Sequence, residues 1–167
     1  MTEKEQIFSS SVKNTGLFQF SDFYKFCYDW LTQETGLDIS EDKYKEKLTG
    51  NAKFINIEWT GTKKVTDYFK YEIKVEFVIE NMTDVEVAKD NVKMKSNKGA
   101  VQVKVKGNLL RDYKGKFEST ATRKFMRSIY EKWIIASRIE EFEDKLFGKC
   151  DEFLSQVKAY LDLEGKR

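Results

Sequence analysis

The thirteen residues from Tyr68 to Glu80 read YFKYEIKVEFVIE, and they constrain the fold more than any other stretch of this 167-residue chain. From Tyr71 onward, Tyr71, Ile73, Val75, Phe77 and Ile79 alternate with Glu72, Lys74, Glu76, Val78 and Glu80. Period 2 with a single exception marks a strand that buries one face and wets the other. A parallel strand covered on both faces would be apolar throughout, so the parent sheet is antiparallel and half solvated.

The rest of the chain supplies partners for that strand. A first strand is expected around Ile7 to Lys13 or Gly16 to Gln19. Ser21-Asp22 opens a helix whose Phe23, Phe26, Cys27, Trp30 and Leu31 recur at helical spacing, with Gly36 beyond its end. A short second helix is expected from Ser40 to Gly50-Asn51, with Tyr44, Lys47 and Leu48 on a weak inner face. Ile55, Ile57 and Trp59 then share one side of a strand that turns at Thr60-Gly61-Thr62 and Lys63-Lys64. Asn81 to Thr83, Lys89-Asp90-Asn91 and Asn97-Lys98-Gly99 read as successive turns. They leave a short hairpin of Val85 and Val87 with Val92 and Met94, followed by a strand carrying Val101, Val103 and Val105.

Beyond a cap at Ser119-Thr120 or Thr122 the pattern is helical. Phe125, Ile129, Trp133, Ile135, Ile139, Phe142, Leu146, Cys150, Phe153, Val157 and Tyr160 are stepped by 3 or 4, with one awkward passage from Trp133 to Ala136. From Ser137 to Leu161 such a helix is roughly 37 Å long, enough to cross a small sheet. The expected fold is therefore α+β in a single domain over residues 1–167: an antiparallel meander of about five to six strands covered on one face by a long C-terminal helix and two N-terminal helices.

This order resembles the helix-grip fold of the START and Bet v 1-like superfamily, in which a curved antiparallel sheet wraps a long C-terminal helix. The resemblance implies an apolar cavity between sheet and helix, for which Ile73, Val75, Phe77, Val103, Val105, Phe142, Leu146 and Phe153 are the candidate lining. The Gly-rich loop of some plant members is lacking. Two short segments, Tyr68-Phe69-Lys70-Tyr71 and Arg111-Asp112-Tyr113, resemble small uncharacterised archaeal proteins, which imply no function.

Composition narrows the chemistry. The chain has no histidine, which removes Ser-His-Asp and Cys-His catalysis and most zinc sites. No phosphate-cradling glycine loop or paired-cysteine motif occurs, so no catalytic residue, cofactor or metal is expected. The acidic run Glu140-Glu141-x-Glu143-Asp144 has a spacing that suits a metal ion, but it reads better as the solvent side of the long helix. No apolar run reaches the ~18 residues needed to span a bilayer. The start of the chain does not read as a secretory signal. Cys27 and Cys150, each among apolar neighbours, read as reduced core thiols of a cytoplasmic protein, although spacing alone leaves their pairing open.

Charge is unevenly distributed along the sequence: −3 up to Glu80, +7 from Asn81 to Arg127, and −2 thereafter. Lys93, Lys95, Lys104, Lys106, Arg111, Lys114 and Lys116 would form a patch for RNA, the ribosome or another polyanion if their faces coincide, with Tyr113 and Phe117 nearby. The leading expectation is a non-enzymatic domain that binds an apolar small molecule or a hydrophobic partner segment between sheet and helix. The alternatives are this basic adaptor, or a solid-cored domain with a protein-interaction role. If the long helix is the lid of the core, a chain cut after Arg138 should lose its cooperative urea transition, followed by far-UV circular dichroism.

Overall fold

A computed structural model describes residues 3–114, 120–134 and 136–165, without the side chains of Lys89, Trp133 and Ile134. Its single sheet has five antiparallel strands: β1 (Glu3–Phe18), β2 (Asp38–Thr49), β3 (Ala52–Lys64), β4 (Phe69–Lys89) and β5 (Val92–Arg111). Their spatial order is β1-β5-β4-β3-β2, so the meander from β2 to β5 returns to lie beside β1. Helix α1 (Phe20–Asp29) continues into a π-helical segment, Trp30–Glu34. Helix α2 (Ala121–Ile129) continues into a second one, Tyr130–Ile134, and α3 spans Ala136–Gly165. The succession of strand, helix, meander and long C-terminal helix follows the expected order.

The odd-numbered residues of the opening segment are buried as its alternation requires: Tyr71, Ile73, Val75, Phe77 and Ile79 lie in one cluster with Val101, Val103 and Val105 of β5 and Ile55, Ile57 and Trp59 of β3. From α3, Phe142, Leu146, Cys150, Phe153, Leu154, Val157 and Leu161 close over them. From α1, Phe23 meets the Phe77 ring at 6.0 Å, edge to face. The Tyr71 hydroxyl donates to the Phe142 carbonyl at 3.0 Å, tying β4 to α3 inside this core. Burial, followed by the Glu141 carboxylate, pushes that phenol up to about 12. Both cysteines are buried and free.

Three expectations are corrected. The segment from Ser40 to Gly50 is not a helix but most of β2, an edge strand exposed along nearly all its length. With neither side buried it carries no apolar alternation, and its Lys/Glu-rich sequence imitates a solvated helix. Backbone pairing with β3 decides its conformation. Gly50-Asn51, expected as the end of that helix, is instead the β2–β3 loop, with φ +62° at Gly50.

The turns read at Asn81–Thr83 and Asn97–Gly99 are not reversals. β4 and β5 run through them, and Asn81 and Met82 together oppose Gly99 as a β-bulge. Asn81 takes φ +55°, and a Cβ on Gly99 would come within 3.0 Å of the Glu80 carbonyl oxygen and the Met82 Cα. The only reversal between these strands is Asp90-Asn91, both at positive φ as a type I′ hairpin turn requires. In the same way β3 runs through Gly61 to Lys64, paired with β4, and Gly61 lies where Leu37 and Ile39 leave no room for a side chain.

The third correction concerns α2. Phe125 and Ile129 were expected on the buried stripe, yet α2 buries none of its residues. Ile135, also placed on that stripe, lies outside the described residues, as do Lys116, Phe117 and Ser119. Thr120 caps α2, its hydroxyl accepting from the Arg123 N–H at 3.1 Å.

α3 comes close to the sheet at Gly107 of β5. A Cβ there would lie 2.7 Å from Cys150 Sγ, 3.4 Å from Phe8 Cβ and 3.5 Å from Leu146 Cγ. Gly107→Ala should therefore destabilise the fold by about 1–3 kcal/mol, the usual range for overpacking. Adding Cys150→Ala should recover part of that loss. Urea melts of the two single variants and the double variant measure the coupling.

Candidate functional site

The eight side chains proposed to line an apolar cavity all lie in the one buried cluster. Three of the concavities among the described residues are lined by none of Phe142, Leu146 and Phe153, and Val75 lines one of them. The first, about 380 Å³, opens on the outer, wet face of the sheet between Asp42, Glu58, Thr60, Lys74, Glu76, Lys104 and Lys106. Three cations and three carboxylates make it electrically balanced. Lys104 pairs with Glu76 at 3.6 Å, and the Thr60 hydroxyl donates to Asp42.

The structure does not bring the seven basic candidates together. β5 runs from Val92 to Arg111 with the bulges on its neighbours, so Lys93 and Lys95 share parity with Val101 while Lys104 and Lys106 point to the other face. Lys95 stands opposite Glu86 in the hairpin beyond the bulge. Lys114 pairs with Asp67 at 3.1 Å. Arg111 is held by Glu5, by Glu143 at 3.3 Å and by Glu131 at 3.7 Å. The basic run in the sequence is thus interleaved with acids from strands and helices distant in sequence.

The two short segments noted in the sequence meet at one corner, because Phe69 pairs with Arg111 across β4 and β5. Asp112, buried and at φ +51°, donates its N–H to the Tyr68 carbonyl at 2.8 Å. The Tyr113 hydroxyl donates to the Thr66 carbonyl at 2.8 Å, and its ring lies between the Lys70 and Lys114 ammonium groups, each 5.9 Å from the centroid. The Tyr68 hydroxyl donates to Glu131. Burial, followed by that carboxylate, raises the Tyr68 phenol well above its usual range. Burial and the adjacent Glu5 raise Glu143, against the pull of Arg111.

This corner holds α2 by its charged side. Arg127 reaches Glu3 at 2.7 Å, Asp112 at 3.9 Å and Glu131 at 3.9 Å. At 100° per residue, Phe125 and Ile129 fall about 160° from Arg127, on the opposite side of the helix. Phe125, Met126 and Ile129 are 66%, 56% and 39% exposed. The helix is amphipathic but mounted with its apolar side outward. Sequence reasoning counted Arg127 in the basic stretch but missed its partners Glu131 and Glu3, and the apolar spacing beside it fits a buried stripe equally well. No family model matches the chain, and no curated protein matches it in sequence. The likeness to archaeal proteins therefore adds nothing to the reading of this corner. Among the described residues, no helix is long and apolar enough to cross a membrane.

On the outer sheet face, Glu72 meets Lys4 at 2.7 Å and accepts from Asn108 at 3.1 Å. Burial raises its carboxyl, but Lys4 and Asn108 outweigh burial and leave it below the usual carboxylate range. A lowered carboxylate contributes stability above its unfolded pKa, and that contribution disappears as pH falls through the folded one. Glu72→Gln should lower stability at pH 7 by up to about 1 kcal/mol. In acid below the lowered folded pKa, where the carboxyl is protonated in both states, the difference should vanish. Urea midpoints at the two pH values test this.

Proposed function

We propose that this chain is a binding domain that docks through α2 onto an anionic lipid surface. The observation that carries the reading is the orientation of α2: its charged side is bound to the body of the protein through Arg127, and Phe125, Met126 and Ile129 face solvent. Apolar side chains gathered on one exposed helical face mark an interaction site rather than scattered surface hydrophobes. Their neighbours specify its chemistry. Lys124 and Lys132 are exposed along and after the helix. Aromatic and aliphatic side chains fringed by lysine suit the boundary of a bilayer carrying negative headgroups. A protein interface would instead be depleted in lysine. This reading differs from the expected apolar small molecule or hydrophobic partner segment between sheet and helix in both occupant and place.

Flotation with vesicles of phosphatidylcholine alone and with added phosphatidylserine tests the proposal. The protein should float with the anionic vesicles, less so as salt rises. Phe125→Asp should abolish flotation while changing stability by no more than about 0.5 kcal/mol, because the side chain is exposed. Flotation undiminished in Phe125→Asp, or no flotation with either vesicle, would sink it.

A further inference from the structure

The sheet is open, with β1 and β2 at its two edges, and the two edges are built differently. Seven of the twelve residues of β2 are charged and a bulge at Asp42 breaks its register, both ordinary defences against edge-to-edge pairing. β1 has its own bulge at Ile7, but from Phe8 to Phe18 it pairs with β5 without a break. Over Phe8–Gly16, FSSSVKNTG, its only charge is Lys13. Among the described residues, no strand pairs with its outer side.

We infer that β1 pairs with β1 of a second copy of this chain, antiparallel about a two-fold axis at Val12. A closed two-fold contact makes each patch its own complement. Two side-by-side strands related in this way must have the axis perpendicular to the sheet, so core-facing residues meet core-facing residues. An axis at Lys13 would use the whole regular run but set Lys13 against Lys13. An axis at Val12 avoids this. It sets Val12 against Val12, Ser11 against Lys13 and Ser10 against Asn14. It also sets the Phe8 ring beside Gly16, whose missing side chain an aromatic neighbour across the strands compensates. The self-complementary register distinguishes a second copy from an arbitrary extended peptide, which would use the backbone of the edge alone. The inference stands apart from α2, which lies on other residues.

Sedimentation equilibrium over a concentration series, on the parent chain and on exposed Ser11 and Phe125 variants, tests it. The parent should show a monomer–dimer equilibrium. Ser11→Lys sets like charges against Lys13 twice per dimer and should raise Kd about tenfold, whereas Ser11→Asp should lower it. Ser11 also faces Lys104 within its own chain, so the urea midpoint of each variant is followed alongside. Phe125→Asp should leave Kd unchanged. A monomer at every concentration, a dimer indifferent to both Ser11 variants, or a dimer dissolved by Phe125→Asp would each overturn the assignment.

Discussion

Burial of one apolar sheet face beneath α3 and α1 is the interaction on which the remaining structure depends. To the odd-numbered side chains of β3, β4 and β5, α3 brings seven buried side chains. A lone amphipathic helix gains little from propensity, and a lone half-apolar sheet would aggregate, so each is stable only against the other. The side-chain-free spot at Gly107 lets α3 descend until Cys150 and Leu146 touch the strand. Burial there pushes the Cys150 thiol up to about 12, and burial likewise raises that of Cys27 well above its usual value. Both cysteines therefore behave as small packing groups rather than nucleophiles.

What was legible in the sequence follows from where burial writes a period. Tyr71 to Ile79, Ile55 to Trp59 and Val101 to Val105 each have one face in the core, and each alternates visibly. Phe23 to Leu31 and Phe142 to Val157 carry a helical stripe for the same reason. β2 has no buried face and left no period to read. Asn81 and Gly99 are residue types that suit a turn, but a bulge uses the same residues. Only the pairing of the two segments with one another tells them apart, and that information is not local.

The candidate site was less legible for a related reason. An apolar stripe states that a face prefers to leave water without stating what will cover it. Phe125 and Ile129 have the spacing of core residues, and what turns them outward is Arg127, whose partners Glu3 and Asp112 lie far away in sequence. Charge was deceptive in the same manner. The excess of lysine and arginine between Asn81 and Arg127 is real along the chain, but folding sets Glu76 against Lys104 and both Glu5 and Glu143 against Arg111.

The π-helical segment Tyr130–Ile134 bears on how such a surface can change over evolutionary time. A π turn holds one residue more than the α turn it replaces, and each residue turns a helix by about 100°. Loss of a single residue there would let the segment rewind as ordinary helix while the side chains on either side keep nearly their present phase. Loss of a residue from the ordinary helix beside it, which holds none to spare, would instead turn the side chains before it by about 100°. The outward aim of α2 thus tolerates a change of length inside the π turn and not one next to it.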